Sequence, residues 1–263
     1  MKAAISMNMR TSGILLYLCL PLFISLFATK SYAGTVSVAV AANVQFVFEE
    51  LRAEFKKETG HDAIASVGSS GKLVTQITQG APFDVFLSAD TEYPDFLFRK
   101  KLTGNQPKVY AHGELVLWTT KNIDLTQWQK IIKEGRAEKI AIANPATAPY
   151  GREAINVLRY YKLENAAQGH LVLGESIAQT NQYIHAGVVD FGLTAKSVVV
   201  SKAMAGKGQW LALPKEAYQS IAQAAVILKN GQEKNPVVAQ AFFDFLYSPK
   251  AQAILQRGGY LLP

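Results

Sequence analysis

The sequence predicts an α/β protein of two lobes joined by two crossing segments. Three observations carry that prediction. Beyond residue 33, short apolar runs alternate with stretches whose apolar residues recur at helical spacing, the pattern of mostly parallel sheets with helical crossovers. The alternation comes in two sets. Long strand-like segments at 108–120 and 219–229 separate the sets, and each is placed to carry the chain between lobes.

The first residues read as an export signal. Lys2 and Arg10 precede an apolar run, Gly13 to Ala28, and Ser31-Tyr32-Ala33 then puts small residues where a signal peptidase reads. Cleavage is predicted after Ala33, and the mature protein is expected to be exported. The apolar run is short for a membrane span and is interrupted by Pro21. The one cysteine, Cys19, lies inside this signal, so the mature chain has neither a disulfide nor a thiol ligand or nucleophile. About 230 residues can bury enough surface to do without them.

Val36 to Ala41 is a buried strand. Asn43 is the expected N-cap of a helix carrying Val44, Val47, Leu51 and Phe55 up to Gly60. His61 to Val67 is the next strand and runs through Ser69-Ser70 into a helix that Gly80-Ala81-Pro82 stops. Asp84 to Leu87 is a strand, followed by a helix to Lys101. In the second set, a helix over Leu125 to Lys133 precedes a strand at Lys139 to Ala143. Tyr150-Gly151 then opens a helix through Leu158. His170 to Leu173 and Val188 to Thr194 are strands on either side of a helix opened by Ser176-Ile177. Trp210 to Leu213 is a further strand, and helices over Pro236 to Tyr247 and Pro249 to Arg257 close the chain. The expected organisation is a signal at 1–33, a first lobe at 34–112 completed by 223–263, and a second lobe at 113–222.

The formal charge of +7 includes three cations ahead of the predicted cut and no acid there, which leaves +4 for the mature chain. Its lysines and arginines are scattered, with no aromatic-interleaved basic stripe, so nucleic acid is not an expected partner. His61, His112, His170 and His185 form no metal-spaced pair, and no bare-cation site is expected. No metalloprotease or serine-hydrolase motif occurs. Asp84, Asp90 and Asp190 read as loop braces rather than acid–base pairs. Gly71-Lys72 lacks the first glycine and the final hydroxyl of a P-loop, since Ser66 and Leu73 stand there, and Lys72 is expected to face solvent.

What remains is a recurring turn chemistry. Ala42-Asn43, Ser69-Ser70, Tyr150-Gly151 and Ser176-Ile177 each stand where a strand or loop becomes a helix. The first N–H groups of a helix lack internal partners, and the helix dipole is positive there. None of the four places a charged side chain at the helix mouth. Such a set of neutral donors suits a desolvated oxyanion.

The blocks VAVAANV, VGSSGKLVTQITQGAPFDVFLSAD, ANPATAPYG and GES…DFGLT, taken in order over 34–263, resemble the periplasmic molybdate-binding proteins of bacterial ABC transporters. The resemblance implies a two-lobed periplasmic binding fold that closes on molybdate or tungstate and delivers it to a membrane permease, with no cofactor and no catalysis. By position it implies Asn43, Ser70, Tyr150 and Ile177 as ligand residues, with Ala42 contributing an N–H, and Ser69 only a neighbour. One branch of the family has a tyrosine hydroxyl at the place of Ala195, and Tyr150 is expected to compensate. A monomer is expected. Another tetrahedral oxyanion such as sulfate is the alternative ligand, and a secreted enzyme the alternative class.

Overall fold

The structure, a computed structural model, describes residues 33–263 together with residues 1 and 3; the predicted export signal and its cleavage lie outside this stretch. Among the described residues no helix is long and apolar enough to cross a membrane.

The chain begins β1 (Thr35–Ala41), α1 (Gln45–Thr59), β2 (Asp62–Gly68), α2 (Ser70–Thr78), β3 (Val85–Leu87), α3 (Glu92–Arg99) and β4 (Lys108–Gly113). It continues through β5 (Leu115–Thr119), α4 (Trp128–Lys133), β6 (Ile140–Ala143), α5 (Pro149–Tyr160), α6 (Glu164–Ala167), β7 (Leu171–Gly174), α7 (Ile177–His185), β8 (Phe191–Ala195), α8 (Lys196–Val199) and β9 (Gln209–Ala212). It returns with β10 (Ile221–Ile227), α9 (Lys229–Lys234), α10 (Pro236–Phe245) and α11 (Pro249–Arg257).

These strands form two five-stranded sheets, ordered β2-β1-β3-β10-β4 and β7-β6-β8-β5-β9. In the first, β1 is parallel to β2 and β3, while β10 runs antiparallel to β3 and β4. In the second, β6 is parallel to β7 and β8, and β5 is antiparallel to β8 and β9. The run at 108–120 is therefore two strands in two sheets, broken at Glu114. The other crossing ends at Ser220, since Ile221 already pairs with Gly113. The two crossings touch, with His112 Nδ1 and Ser220 Oγ 3.0 Å apart.

Pleating sorts the first lobe's core into two layers. Val36, Val38 and Val40 pack against Phe48, Leu51, Phe55 and Phe242 of α1 and α10. Ala39, Phe86 and Val226 face Leu73, Val74, Ile77 and Leu97 of α2 and α3. The C-terminal helices thus return to the first lobe. A third cluster fills the second lobe and reaches across the boundary to Ala41, Ala42 and Ala89.

Two local expectations need correction. Asn43 does not cap α1. It lies inside a single 3-10 turn, Ala42–Val44, and α1 starts at Gln45. The tighter turn lets Val44 enter the core directly after the strand and buries Asn43 with it. Residues 188–190 are not strand. Gly187, at φ 69°, ends α7, and the chain needs those residues to reach β6, where β8 begins at Phe191. Asp190 braces this passage, its carboxylate accepting from Lys121 and from the N–H groups of Glu138 and Lys139.

Candidate functional site

The four helix mouths converge. Ala42 and Asn43 (the 3-10 turn after β1), Ser69 and Ser70 (start of α2), Pro149 and Tyr150 (start of α5) and Ile177 (start of α7) line one cavity between the lobes, together with Ala41, Ala89 and Ala148. The space open to a water centre is about 10 Å³, room for about one water molecule. No charged side chain is on the wall. Among the described residues, the backbone N–H groups of Asn43, Ser70, Tyr150 and Ile177 find no acceptor in the protein. Three of these belong to helices whose dipoles end at the cavity, and two come from each lobe.

The side chains divide differently from expectation. Ser70, buried, accepts from the Ala89 N–H at 3.0 Å, which leaves its hydroxyl hydrogen free to donate. Ser69 is the N-cap of α2, yet its hydroxyl caps nothing and is buried without a partner. The N–H it would ordinarily cap, that of Gly71, instead donates across the cleft to the Thr147 carbonyl at 2.9 Å. Ser69 is therefore an unengaged hydroxyl on the cavity wall rather than a mere neighbour. Asn43 shows the reverse. Both amide hydrogens are engaged internally, with Gln223 Oε1 at 2.8 Å and the Tyr260 hydroxyl at 3.1 Å, so only its backbone N–H faces the cavity unpaired.

Tyr150 is buried, and burial raises its hydroxyl well above the ordinary tyrosine range, so it stays neutral. That hydroxyl accepts from Gln223 Nε2 at 3.1 Å and lies against Gly113 at the crossing, where any Cβ would collide with it. Ala42 offers backbone only. Ala195 is fully buried at the end of β8 and is absent from the cavity wall.

Charges gather at the rim. Arg152, one turn into α5, reaches across the cleft to pair with Asp90 and lies 3.4 Å from Glu92. Its guanidinium also sits 5.5 Å from the ring centroid of Tyr93. Burial pushes the Asp90 carboxyl up, against the hydrogen bonds from Ser88, the Tyr93 N–H and Arg152. For Arg152 the balance reverses: burial is the largest single influence and lowers its pKa, but the hydrogen bond to Asp90 and the attraction of Asp90, Glu92 and Tyr93 together outweigh it and the net shift is upward. Lys72 pairs across the cleft with Glu175, both half-exposed. Lys72 is thus outside the cavity, as expected, but it is partnered there. Asp84 braces the first lobe, accepting from the Ser37 N–H and from Asn230 and Asn235.

A bacterial extracellular solute-binding protein model matches residues 36–261. The chain belongs to that family. Among its relatives, the molybdate-binding protein ModA of Azotobacter vinelandii is 39% identical over 236 residues, covering 89% of this chain and 93% of that protein. The ModA of Rhodobacter capsulatus is 37% identical over 235 residues, covering 89% and 91%. A solved structure of an Azotobacter vinelandii periplasmic molybdate-binding protein superposes with a TM-score of 0.80 at 34% identity, over 87% of this chain and 99% of that one. The two-lobed fold of this solute-binding protein is the one the sequence predicts.

Gln223, Tyr260, Tyr110, Thr147 and Arg152 carry parts of this site that sequence reasoning passed over. Gln223 left a trace, as the one polar residue inside the apolar run IAQAAVIL. Arg152 looked like any charge on a helix.

Proposed function

We propose that this solute-binding protein captures molybdate or tungstate in the periplasm and hands it to an ABC-type permease. The observation that carries the reading is the cavity wall: unpaired backbone N–H groups from both lobes, two serine hydroxyls and no charged side chain. The relatives named above, which bind molybdate by their names, support the choice of ligand.

In this reading Asn43, Ser70, Tyr150 and Ile177 donate through their N–H groups. Ala42 shapes the turn that presents Asn43, and Ser69 and Ser70 add hydroxyls. A tetrahedral dianion brings four oxygens, each able to take two or more such bonds. Hydrogen bonds to an ionised acceptor are roughly twice as strong as neutral ones. Helix dipoles supply the balancing positive potential, so no cation has to be desolvated beside the guest. The guest bridges the lobes because each holds only half the donors, and closing around it excludes water. The closed shape then depends on occupancy, which is what a permease can read.

Selection follows from size and protonation. The small cavity disfavours organic anions. Hydrogen phosphate would bring a proton, and Ser70 Oγ already accepts from Ala89 and is a poor second acceptor for it. Sulfate has the same charge and shape, so only cavity size separates it from molybdate.

Calorimetric titration with molybdate, tungstate, sulfate and phosphate tests the reading. Calorimetry suits this chain because Trp118, Trp128 and Trp210 all lie in the second lobe, off the cavity wall. The expected result is tight binding of molybdate and tungstate with weak or no response to the other two. Tight sulfate binding with no response to molybdate would contradict it and favour the sulfate alternative.

A further inference from the structure

Gln223 is fully buried in β10, close to the point where the chain re-enters the first lobe. A buried primary amide is tolerated only when its polar atoms are paired. Here they are. Oε1 accepts from Asn43 Nδ2 at 2.8 Å and from the Tyr110 hydroxyl at 3.0 Å, and Nε2 donates to the Tyr150 hydroxyl at 3.1 Å. The orientation is determined by its partners, since a flipped amide would set Nε2 against the Asn43 amide, donor to donor.

The backbone is shaped for this contact. Pairing of β10 with β4 passes from Gln223–Ala111 to Ala224–Val109, which leaves Tyr110 as an extra residue in the ladder. Such bulges re-aim side chains beside functional sites. Gly113, three residues beyond Tyr110, has no side chain and so admits the Tyr150 ring to the crossing. The network extends to the other side of Asn43. The Tyr260 hydroxyl donates to the Asn43 carbonyl at 2.8 Å, and Ser197 of the second lobe donates to the same oxygen at 2.9 Å.

Gln223 therefore hydrogen-bonds one cavity residue from each lobe. Its bonds to Asn43 and Tyr110 lie within the first lobe. Its bond to Tyr150 joins the first lobe to the second beside the crossing. We propose that Gln223 is a positioning residue for ligand capture: it holds the Asn43 turn and the start of α5 in the one arrangement that lets their N–H groups converge. The inference rests on the reading of the cavity as an oxyanion site.

A double-mutant cycle on molybdate affinity tests it, using Gln223→Met, Tyr150→Phe and the pair. Each single change should weaken binding about fivefold, the scale of one buried hydrogen bond, and the pair should be no weaker than the worse single change. Ligand-free melting temperatures report the structural contribution separately. Losses that add, or affinities equal to wild type, would overturn the proposal. Gln223→Asn, which keeps the amide but shortens its reach, completes the cycle if Gln223→Met does not fold. Wild type that ignores molybdate ends the parent reading and this inference with it. Wild type that binds, with additive losses in the cycle, ends this inference alone.

Discussion

The cavity and the rim above it use opposite chemistries within a few residues of chain. Ser69 and Ser70 are on the wall while Lys72 is at the rim; Pro149 and Tyr150 are on the wall while Arg152 is at the rim; Ala89 is on the wall while Asp90 is at the rim. The wall carries uncharged donors and the rim carries ion pairs that join the lobes. The difference follows from solvation. A cation enclosed with the guest would have to be stripped of water, a cost its attraction need not repay. At the rim the Lys72–Glu175 pair keeps much of its hydration, and the buried Asp90 carboxylate has the Arg152 guanidinium as its direct partner from the other lobe. In the proposed reading the wall selects the guest and the rim tunes closure.

That division can be broken from either side. The largest effect is expected at the wall. Ser70→Ala removes a donor to a charged guest and strands the Ala89 N–H, so molybdate affinity should fall by about tenfold to a hundredfold in calorimetry. Ser69→Ala should fall less, because its hydroxyl has no second partner to abandon.

Next comes the seam between wall and rim. A Cβ on Gly71 would lie 2.5 Å from the Tyr93 hydroxyl and 3.0 Å from the Thr147 carbonyl oxygen of the opposite lobe. Gly71→Ala should wedge the cleft and cost about tenfold in affinity, on the scale of overpacking a fitted contact. The ligand-free melting temperature should not fall, because alanine suits a helix better than glycine. A melting temperature that dropped in step with affinity would show Gly71 acting on the fold rather than on closure.

The rim effects are smaller and carry a pH signature. The Arg152 pair requires ionised Asp90, and burial raises that carboxyl above its usual range. Lowering pH therefore removes the pair at a higher pH than it would with an ordinary carboxylate, and affinity should decline a few-fold as the solution is acidified. In Asp90→Asn the decline should be shallower, with any protonation of the ligand common to both proteins. For folding the sign is opposite. A raised native pKa gives a contribution fully present below the unfolded pKa and lost as pH rises through the native one, so Asp90→Asn should not lower the neutral-pH melting temperature through this group. Smallest of all, Lys72→Met should change affinity by no more than about twofold, and less at high salt, since its pair with Glu175 is half-exposed.

The wall was legible in the sequence and the rim was not, for one physical reason. A strand running into a small-residue turn and a helix is a local pattern, and the free N–H groups at its mouth follow from helix geometry alone. The turns at Ala42-Asn43, Ser69-Ser70, Tyr150-Gly151 and Ser176-Ile177 could thus be picked out and are found together, while singling out Ser70, Tyr150 and Ile177 within them came from the family resemblance. Which atoms each residue uses depends on distant partners. The Asn43 amide is turned away by Gln223, 180 residues along the chain. Ser69 is left uncapping because Gly71 bonds to Thr147 in the other lobe. The Arg152–Asp90 pair spans 62 residues and forms only across the closed cleft. Nothing local marks any of these choices.

The most direct test of the central claim, that uncharged donors alone hold the guest, is a crystal structure with molybdate located by its anomalous scattering. The account predicts a single peak in the cavity, with oxygens in hydrogen-bond range of the Asn43, Ser70, Tyr150 and Ile177 N–H groups and no lysine or arginine nitrogen in contact. A peak beside Arg152 or Lys72 at the rim would contradict it.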